Sequence, residues 1–288
     1  MQSQEQSGGT LAQQMFGPQA GIYAESKVHI SDDSLESVQK LTNPALRQAQ
    51  GDRSGLQGDE AQAQGDGAEA MPYRWAVDIG TGAGFTAFAM AEVSERVIAS
   101  DITQPMLRQA GRISGERGLP NVGLVQNAAE ALPFADASLD LITSRKAAHH
   151  FRDFEAALDE AQRALRPGGS LVMADTVAPE DDDMARWQNE VELRRDFSHV
   201  EDRKVSVIRQ MLADRGFEVV GSEDERVYLW FNDWVMRTRV PEDEVAALRR
   251  EFQEGPPEVR ETFQVGEPEE DGDFLFSFPV WVFRAVKR

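Results

Sequence analysis

Apolar residues along this chain come in short runs bounded by glycine or acidic residues, with stretches of helical spacing between them. Trp75 to Ile79 predicts a first strand, after which Phe85, Phe88, Ala89 and Val93 share one helical face. Arg96 to Ser100, Val122 to Gln126 and Leu139 to Ser144 predict three further strands. Leu165 to Ser170 ends a helix and turns into a fifth, Leu171 to Asp175. Strands alternating with helices predict an α/β domain. Trp187 to His199 and Asn232 to Phe263, which carries Trp234 and Met236, read as helical insertions. Phe217 to Val220, Arg226 to Phe231 and Phe276 to Ala285 predict the closing strands.

The first strand runs through Asp78 into Gly80-Thr81-Gly82-Ala83-Gly84-Phe85, three glycines at alternate positions opening a helix. Such a turn brings backbone N–H groups and a helix N-terminus up to a ligand. By itself it is often a plain connection, since glycine is the default turn residue. A nicotinamide-binding turn wants glycine where Phe85 stands, and no Gly-Lys-Ser/Thr follows as a P-loop requires. Asp101 ends the second strand roughly 20 positions later, where a carboxylate can accept both ribose hydroxyls of an adenosine ligand. Its alternative is to cap the next helix, but Thr103, followed by Pro105, already suits that end.

The glycine turn resembles motif I of the class I S-adenosylmethionine-dependent methyltransferases. Ala128-Ala129-Glu130-Ala131-Leu132-Pro133-Phe134, the strand before Arg145, and Leu165-Arg166-Pro167-Gly168-Gly169 continue the likeness. Together they resemble the small-molecule methyltransferases related to the quinone-biosynthesis C-methyltransferases, over about residues 73 to 180. The resemblance implies a doubly wound, Rossmann-like seven-stranded sheet with a final antiparallel strand and helical insertions over its carboxyl edge. It implies S-adenosyl-L-methionine as cofactor, no metal, and in-line transfer of a methyl group to a small-molecule acceptor. It assigns cofactor binding to Asp78, which would hold the ammonium directly or through water, its alternative being a carboxylate that stabilises the turn, and to Gly80, Thr81, Gly82 and Gly84 in the turn. Asp101, Ile102, Ala128, Ala129, Ser144 and Arg145 complete that set. Relatives commonly carry an Asp on the adenine amino group where this chain has Ala128. The Ala129 N–H, with Ile102 and Leu132 as walls, is left to read the ring. Arg145 pairs either with an anionic group of cofactor or substrate or in a surface salt bridge. Phe16 to Ala20, leading to Tyr23 and His29, resembles the segment that caps the cofactor pocket, its alternative being a plain surface helix.

His149 and His150 follow the fourth strand, beside the sulfonium in this fold, and are the candidate catalytic bases. Histidine titrates near neutral pH, which suits proton abstraction. Alternatively one ring packs on Phe151 and the other bonds a loop carbonyl, with Asp153 capping the next helix.

Charge narrows the partners. The net charge is −20 and the pI about 4.6, which argues against nucleic acid and against an anionic membrane surface. The acidic runs Asp181 to Asp183 and Glu267 to Asp273 read as solvated loops. Cysteine is absent, excluding disulfides and thiolate chemistry. Neither a signal peptide nor an apolar stretch of the ~18 residues that span a bilayer is present, so the chain reads as cytoplasmic. Gln48-Ala49-Gln50-Gly51-Asp52 recurs as Gln62-Ala63-Gln64-Gly65-Asp66, within a stretch too poor in apolar residues to offset its ordering entropy. The expected organisation is a helical cap segment (1–44), a disordered insertion (45–71) and a catalytic domain (72–288) with substrate-side insertions at 178–203 and 232–272. Two functions fit: a methyltransferase for a small molecule, or a catalytically silent adenosine-binding module whose insertions meet a partner protein.

Overall fold

The computed structural model describes residues 9–25, 33–43 and 71–288. His29 and all of the expected insertion but Met71 lie outside them. Among the described residues three helices come first: α1 (Leu11–Phe16), α2 (Ala20–Glu25) and α3 (Asp33–Thr42). The main unit runs β1 (Tyr73–Ile79), α4 (Phe85–Met90), β2 (Ser94–Asp101), α5 (Gln104–Glu116), β3 (Val122–Gln126) and β4 (Leu139–Arg145). It continues with a 3₁₀ turn (Ala148–His150), α6 (Phe154–Ala164) and β5 (Leu165–Thr176). There follow α7 (Asp182–Arg195), α8 (Val205–Asp214), β6 (Phe217–Trp230), α9 (Phe231–Met236), α10 (Glu242–Glu254), α11 (Pro257–Thr262) and β7 (Leu275–Lys287).

The seven strands form one sheet in the order β3-β2-β1-β4-β5-β7-β6. All neighbours are parallel up to β5, and β7 runs antiparallel between β5 and β6. This is the doubly wound sheet with an antiparallel final strand that the resemblance implied. Parallel strands are covered on both faces, which explains why the inner strands read as near-continuous apolar runs. One face carries Leu158 and Ala161 of α6 and Ile208 and Leu212 of α8 against Val77, Ile142 and Met173. The other carries Val38 of α3 and Ala87 and Met90 of α4 against Ala76, Val97 and Leu141. A separate apolar cluster, built from Phe231, Trp234, Leu248, Phe252, Phe263, Phe274 and the β7 residues Phe276 and Phe278, lies beneath α7 and α9–α11.

The structure corrects several boundaries. Val93 lies beyond the end of α4, whose buried face is Phe85, Ala87, Phe88 and Met90. Leu165 to Ser170 belongs to β5, and its glycines form a bulge between the Leu139–Leu165 and Leu141–Ser170 pairs. The two expected segments from Phe217 to Phe231 merge into β6, because β7 is long enough to pair with both across a register shift at Val219/Gly221. The last pair of that hairpin is Trp230 with Leu275. Asp181 to Asp183 is not a loop: Asp181 accepts from the N–H groups of Asp183 and Met184 and caps α7. A helix N-terminus favours carboxylates, which accounts for the run. No helix among the described residues is long and apolar enough to cross a membrane.

Candidate active site

Strand order reverses between β1 and β4, the place where open α/β sheets bind ligands. The loops after both strands open into one cavity of about 900 Å³. That is the upper end of the ~300–1,000 Å³ usual for small-molecule sites.

One lobe is built by the glycine turn and the ends of β2 and β3. Gly82 lines it with φ +54°, and a Cβ added there would meet no protein atom within 4 Å. Its backbone is therefore open to a ligand. Gly84 (φ +97°) is outside the lining and packs on Phe88, 2.4 Å from an added Cβ. It serves the fold rather than the ligand. Gly80, Thr81, Ile102, Ala128 and Ala129 line the lobe as expected, joined by Met106 and Asn127. Leu132, expected as a wall, is instead in the core beneath α6.

Asp101 lines this lobe at 8% exposure. Its Oδ2 accepts the Gly82 N–H at 2.8 Å and its Oδ1 the Thr103 N–H at 2.7 Å. Thr103 makes no side-chain cap bond, so Asp101 performs the helix-end duty as well as facing the cavity. Burial pushes its carboxyl upward, against these two donors.

Asp78 takes the turn-stabilising role that was its alternative reading. It is 1% exposed, lies outside the lining, and accepts from Thr81 Oγ1 at 2.6 Å and Thr143 Oγ1 at 2.8 Å. Burial pushes its carboxyl up to about 6. Its side chain ties the glycine turn to β4. Ser144 is likewise buried outside the lining. Arg145 does line the cavity, donating from Nε to Thr86 Oγ1 at 3.1 Å, with Nη1 3.5 Å from Ser34 Oγ. Its side chain is buried.

The second lobe gathers residues from distant segments. Leu11 and Phe16 of α1 close one side; Val227, Leu229 and Phe278 of the β6–β7 hairpin and Trp234 of α9 form an apolar wall. Glu192, Arg195, Asp196 and Ser198 come from the end of α7 and the loop beyond.

Both histidines face this lobe. Asp175, at the carboxyl end of β5, organises them. Its Oδ2 accepts the N–H groups of Ala147, Ala148 and His149 at 2.6–3.3 Å, and its Oδ1 lies 2.6 Å from His149 Nδ1. Burial opposes a charge on His149, yet the Asp175 carboxylate overcomes it and pushes the imidazole up to about 9. His150 moves the other way, driven down by burial and by the neighbouring His149 charge. Its Nδ1 lies 3.1 Å from the Ser198 carbonyl oxygen, and its ring meets Phe16 edge-on at 4.9 Å. His199, behind them, has its ring centre 5.8 Å from that of His149. Thus the Asp175 carboxylate favours an imidazolium at His149, while burial and that neighbour oppose one at His150. Asp153 caps α6 as expected, accepting the Ala156 N–H at 2.9 Å.

Sequence reasoning missed Asp175, Glu192, Arg195 and Asp196. Asp175 alone left a signal, an acidic residue closing an apolar strand as Asp101 closes β2.

Comparison with known proteins fits this geometry. A methyltransferase domain family matches residues 77–173. The uncharacterized methyltransferase YcgJ of Bacillus subtilis is 31% identical over 212 residues, covering 74% of this chain and 84% of that protein. Its crystal structure superposes with a TM-score of 0.71 over 77% of this chain and 94% of that one. The uncharacterized protein YafE of Escherichia coli is 34% identical over 68% of this chain and 93% of its own length. The ubiquinone/menaquinone biosynthesis C-methyltransferase UbiE of Shewanella frigidimarina is 30% identical over 52% of this chain and 69% of that protein.

Proposed function

Because the chain belongs to the methyltransferase family, we propose that it moves a methyl group from S-adenosylmethionine to a small-molecule acceptor. The observation that carries the reading is the single cavity in which the glycine turn and Asp101 share a wall with a second, mixed polar and apolar lobe. A silent adenosine-binding scaffold has no use for the second lobe.

The residues of the first lobe fit the cofactor. Gly82 leaves open space where a side chain would stand, and each Asp101 oxygen keeps lone-pair capacity beside its one backbone donor. Asp101 would accept from the ribose hydroxyls, and Ile102 and Met106 would face the adenine opposite Ala128 and Ala129. The buried Arg145 guanidinium would receive the carboxylate. When bound, the cofactor supplies a methyl group already attached to a leaving group. The chain's task is alignment and exclusion of water, worth about 7–11 kcal/mol of barrier when two reactants are held in line. The apolar wall of Val227, Leu229 and Phe278 would hold the acceptor body, while the polar rim fixes its reacting atom. The strands fixing the first lobe are rigid; the second is assembled from helices and a hairpin, where selectivity is usually placed.

The test is calorimetry with S-adenosylmethionine and S-adenosylhomocysteine, followed by detection of S-adenosylhomocysteine formed with panels of hydroxylated, enolic and amine acceptors. Binding of both cofactor forms and turnover of one panel is expected. Failure of both forms to bind would refute the reading.

A further inference from the structure

We propose that Glu192, rather than either histidine, receives the acceptor's proton during the transfer. The proposal rests on the methyl-transfer reading above. Glu192 stands on the last turn of α7 with its side chain 12% exposed and lines the acceptor lobe. Trp234 Nε1 donates to its Oε1 over a long 3.3 Å, and the guanidinium of Arg195 stays 3.6 Å from Oε2. Both are weaker than the 2.7–2.9 Å of a charge-assisted bond. Each carboxylate oxygen thus has one long contact and keeps further accepting capacity.

Both histidines beside it have their Nδ1 atoms engaged elsewhere. His149 has given Nδ1 to Asp175, and His150 has placed Nδ1 against the Ser198 carbonyl. Asp196 accepts from the N–H and Oγ of Ser198 through Oδ1, while its Oδ2 makes no hydrogen bond among the described residues and stays 3.7 Å from Arg195 Nη1. Glu192 feels charges from Arg195 and Asp196 on its own helix and just beyond it, from Asp202 in the loop that follows α7 and from His149 in the turn after β4, while on the α9 side Arg237 is paired with Asp233. Burial outweighs the Arg195 charge, and with Asp202 and Asp196 it lifts the Glu192 carboxyl to about 7. A base works best with a pKa near the operating pH.

In the step itself the acceptor's nucleophilic atom bonds the methyl carbon while the electron pair of the carbon–sulfur bond stays on sulfur. The proton leaving that same acceptor atom passes to a Glu192 oxygen, and the carboxylic acid returns it to solvent after the product departs.

A test that needs no acceptor uses calorimetry at pH 7 in two buffers of different ionisation enthalpy. A sulfonium bound near Glu192 draws off its proton, whereas the neutral sulfur of S-adenosylhomocysteine does not. S-adenosylmethionine should therefore release up to about half a proton more per site than S-adenosylhomocysteine, since a group titrating near 7 is half protonated there. The difference should vanish in Glu192→Gln and persist in His149→Asn. Equal release by the two ligands in the wild-type protein, or a difference that survives Glu192→Gln, overturns the proposal. If neither ligand binds, the cofactor reading itself fails and the proposal falls with it, a result distinct from the other two. With an acceptor in hand, Glu192→Gln should lower kcat by about 10²–10⁴-fold and remove the acid limb of the pH–rate profile. Turnover within tenfold of wild type, in a variant of unchanged melting temperature, also overturns it.

Discussion

Replacing Asp175 with Asn tests the electrostatic logic of the site through stability alone. The substitution keeps the shape but removes the charge that faces His149 at 2.6 Å and leaves one oxygen to serve the donors that two now share. In the native protein His149 is raised from 6.5 to about 9. A histidine raised on folding contributes stability that is fully present below its unfolded pKa of about 6.5 and lost as pH rises through its folded value. The span corresponds to about 3 kcal/mol. In Asp175→Asn that pH-dependent part should disappear, because burial then acts on His149 without its counter-charge. Lost backbone bonds add a pH-independent cost of about 1–3 kcal/mol for each donor left unpaired. Urea unfolding of both proteins at pH 6 and pH 10 separates the two parts. The destabilisation should be about 3 kcal/mol greater at pH 6 than at pH 10. Equal destabilisation at both pH values would refute the claim that Asp175 holds His149 as a cation.

Asp101→Ala should weaken both cofactor forms by roughly 1.5–3 kcal/mol per lost charged hydrogen bond, measured by calorimetry; unchanged affinity would remove Asp101 from the ribose site. Asp101→Ala should also lower the melting temperature, since the Gly82 and Thr103 N–H groups lose their acceptor. Gly82→Ala and Gly84→Ala should separate: both pay αL strain of about 1–2 kcal/mol, but only Gly84→Ala also meets Phe88 and only Gly82→Ala intrudes on the cavity. Thermal melts should therefore find Gly84→Ala the less stable, and calorimetry should find Gly82→Ala the weaker binder. A chelator should leave turnover unchanged, because a sulfonium methyl needs no Lewis acid; inhibition by EDTA reversed by a divalent ion would contradict this.

The parallel half of the molecule was legible because its information is local. Trp75 to Gly84 carries strand, turn and helix start within a few residues, and Asp101 ends its strand where a ribose ligand would be sought. The sequence could not show that Asp78 spends both oxygens on Thr81 and Thr143, the latter lying 65 positions away. Glu192 is one acid among many on a helix of mixed charge, and only the fold carries it to the lobe that His149 borders. The histidines were found by position, but their charge states depend on Asp175, a partner 26 residues distant. Spacing within a segment reveals what a segment does; a pKa set by three segments is visible only once they meet.

The pairing of Trp230 with Leu275 brings the two ends of everything between them to neighbouring strands. Phe231 to Phe274 therefore leaves the sheet and returns to it at almost the same point, folded around its own aromatic cluster. Adjacent strands stand about 4.8 Å apart, so any replacement with closely spaced ends can be spliced there without moving β1, β4 or the glycine turn. Of the residues that line the cavity, only Trp234 and Arg237 ride on this excursion. Exchanging it would therefore reshape one patch of the cavity while α7, the paired strands β6 and β7 and the glycine turn kept their places.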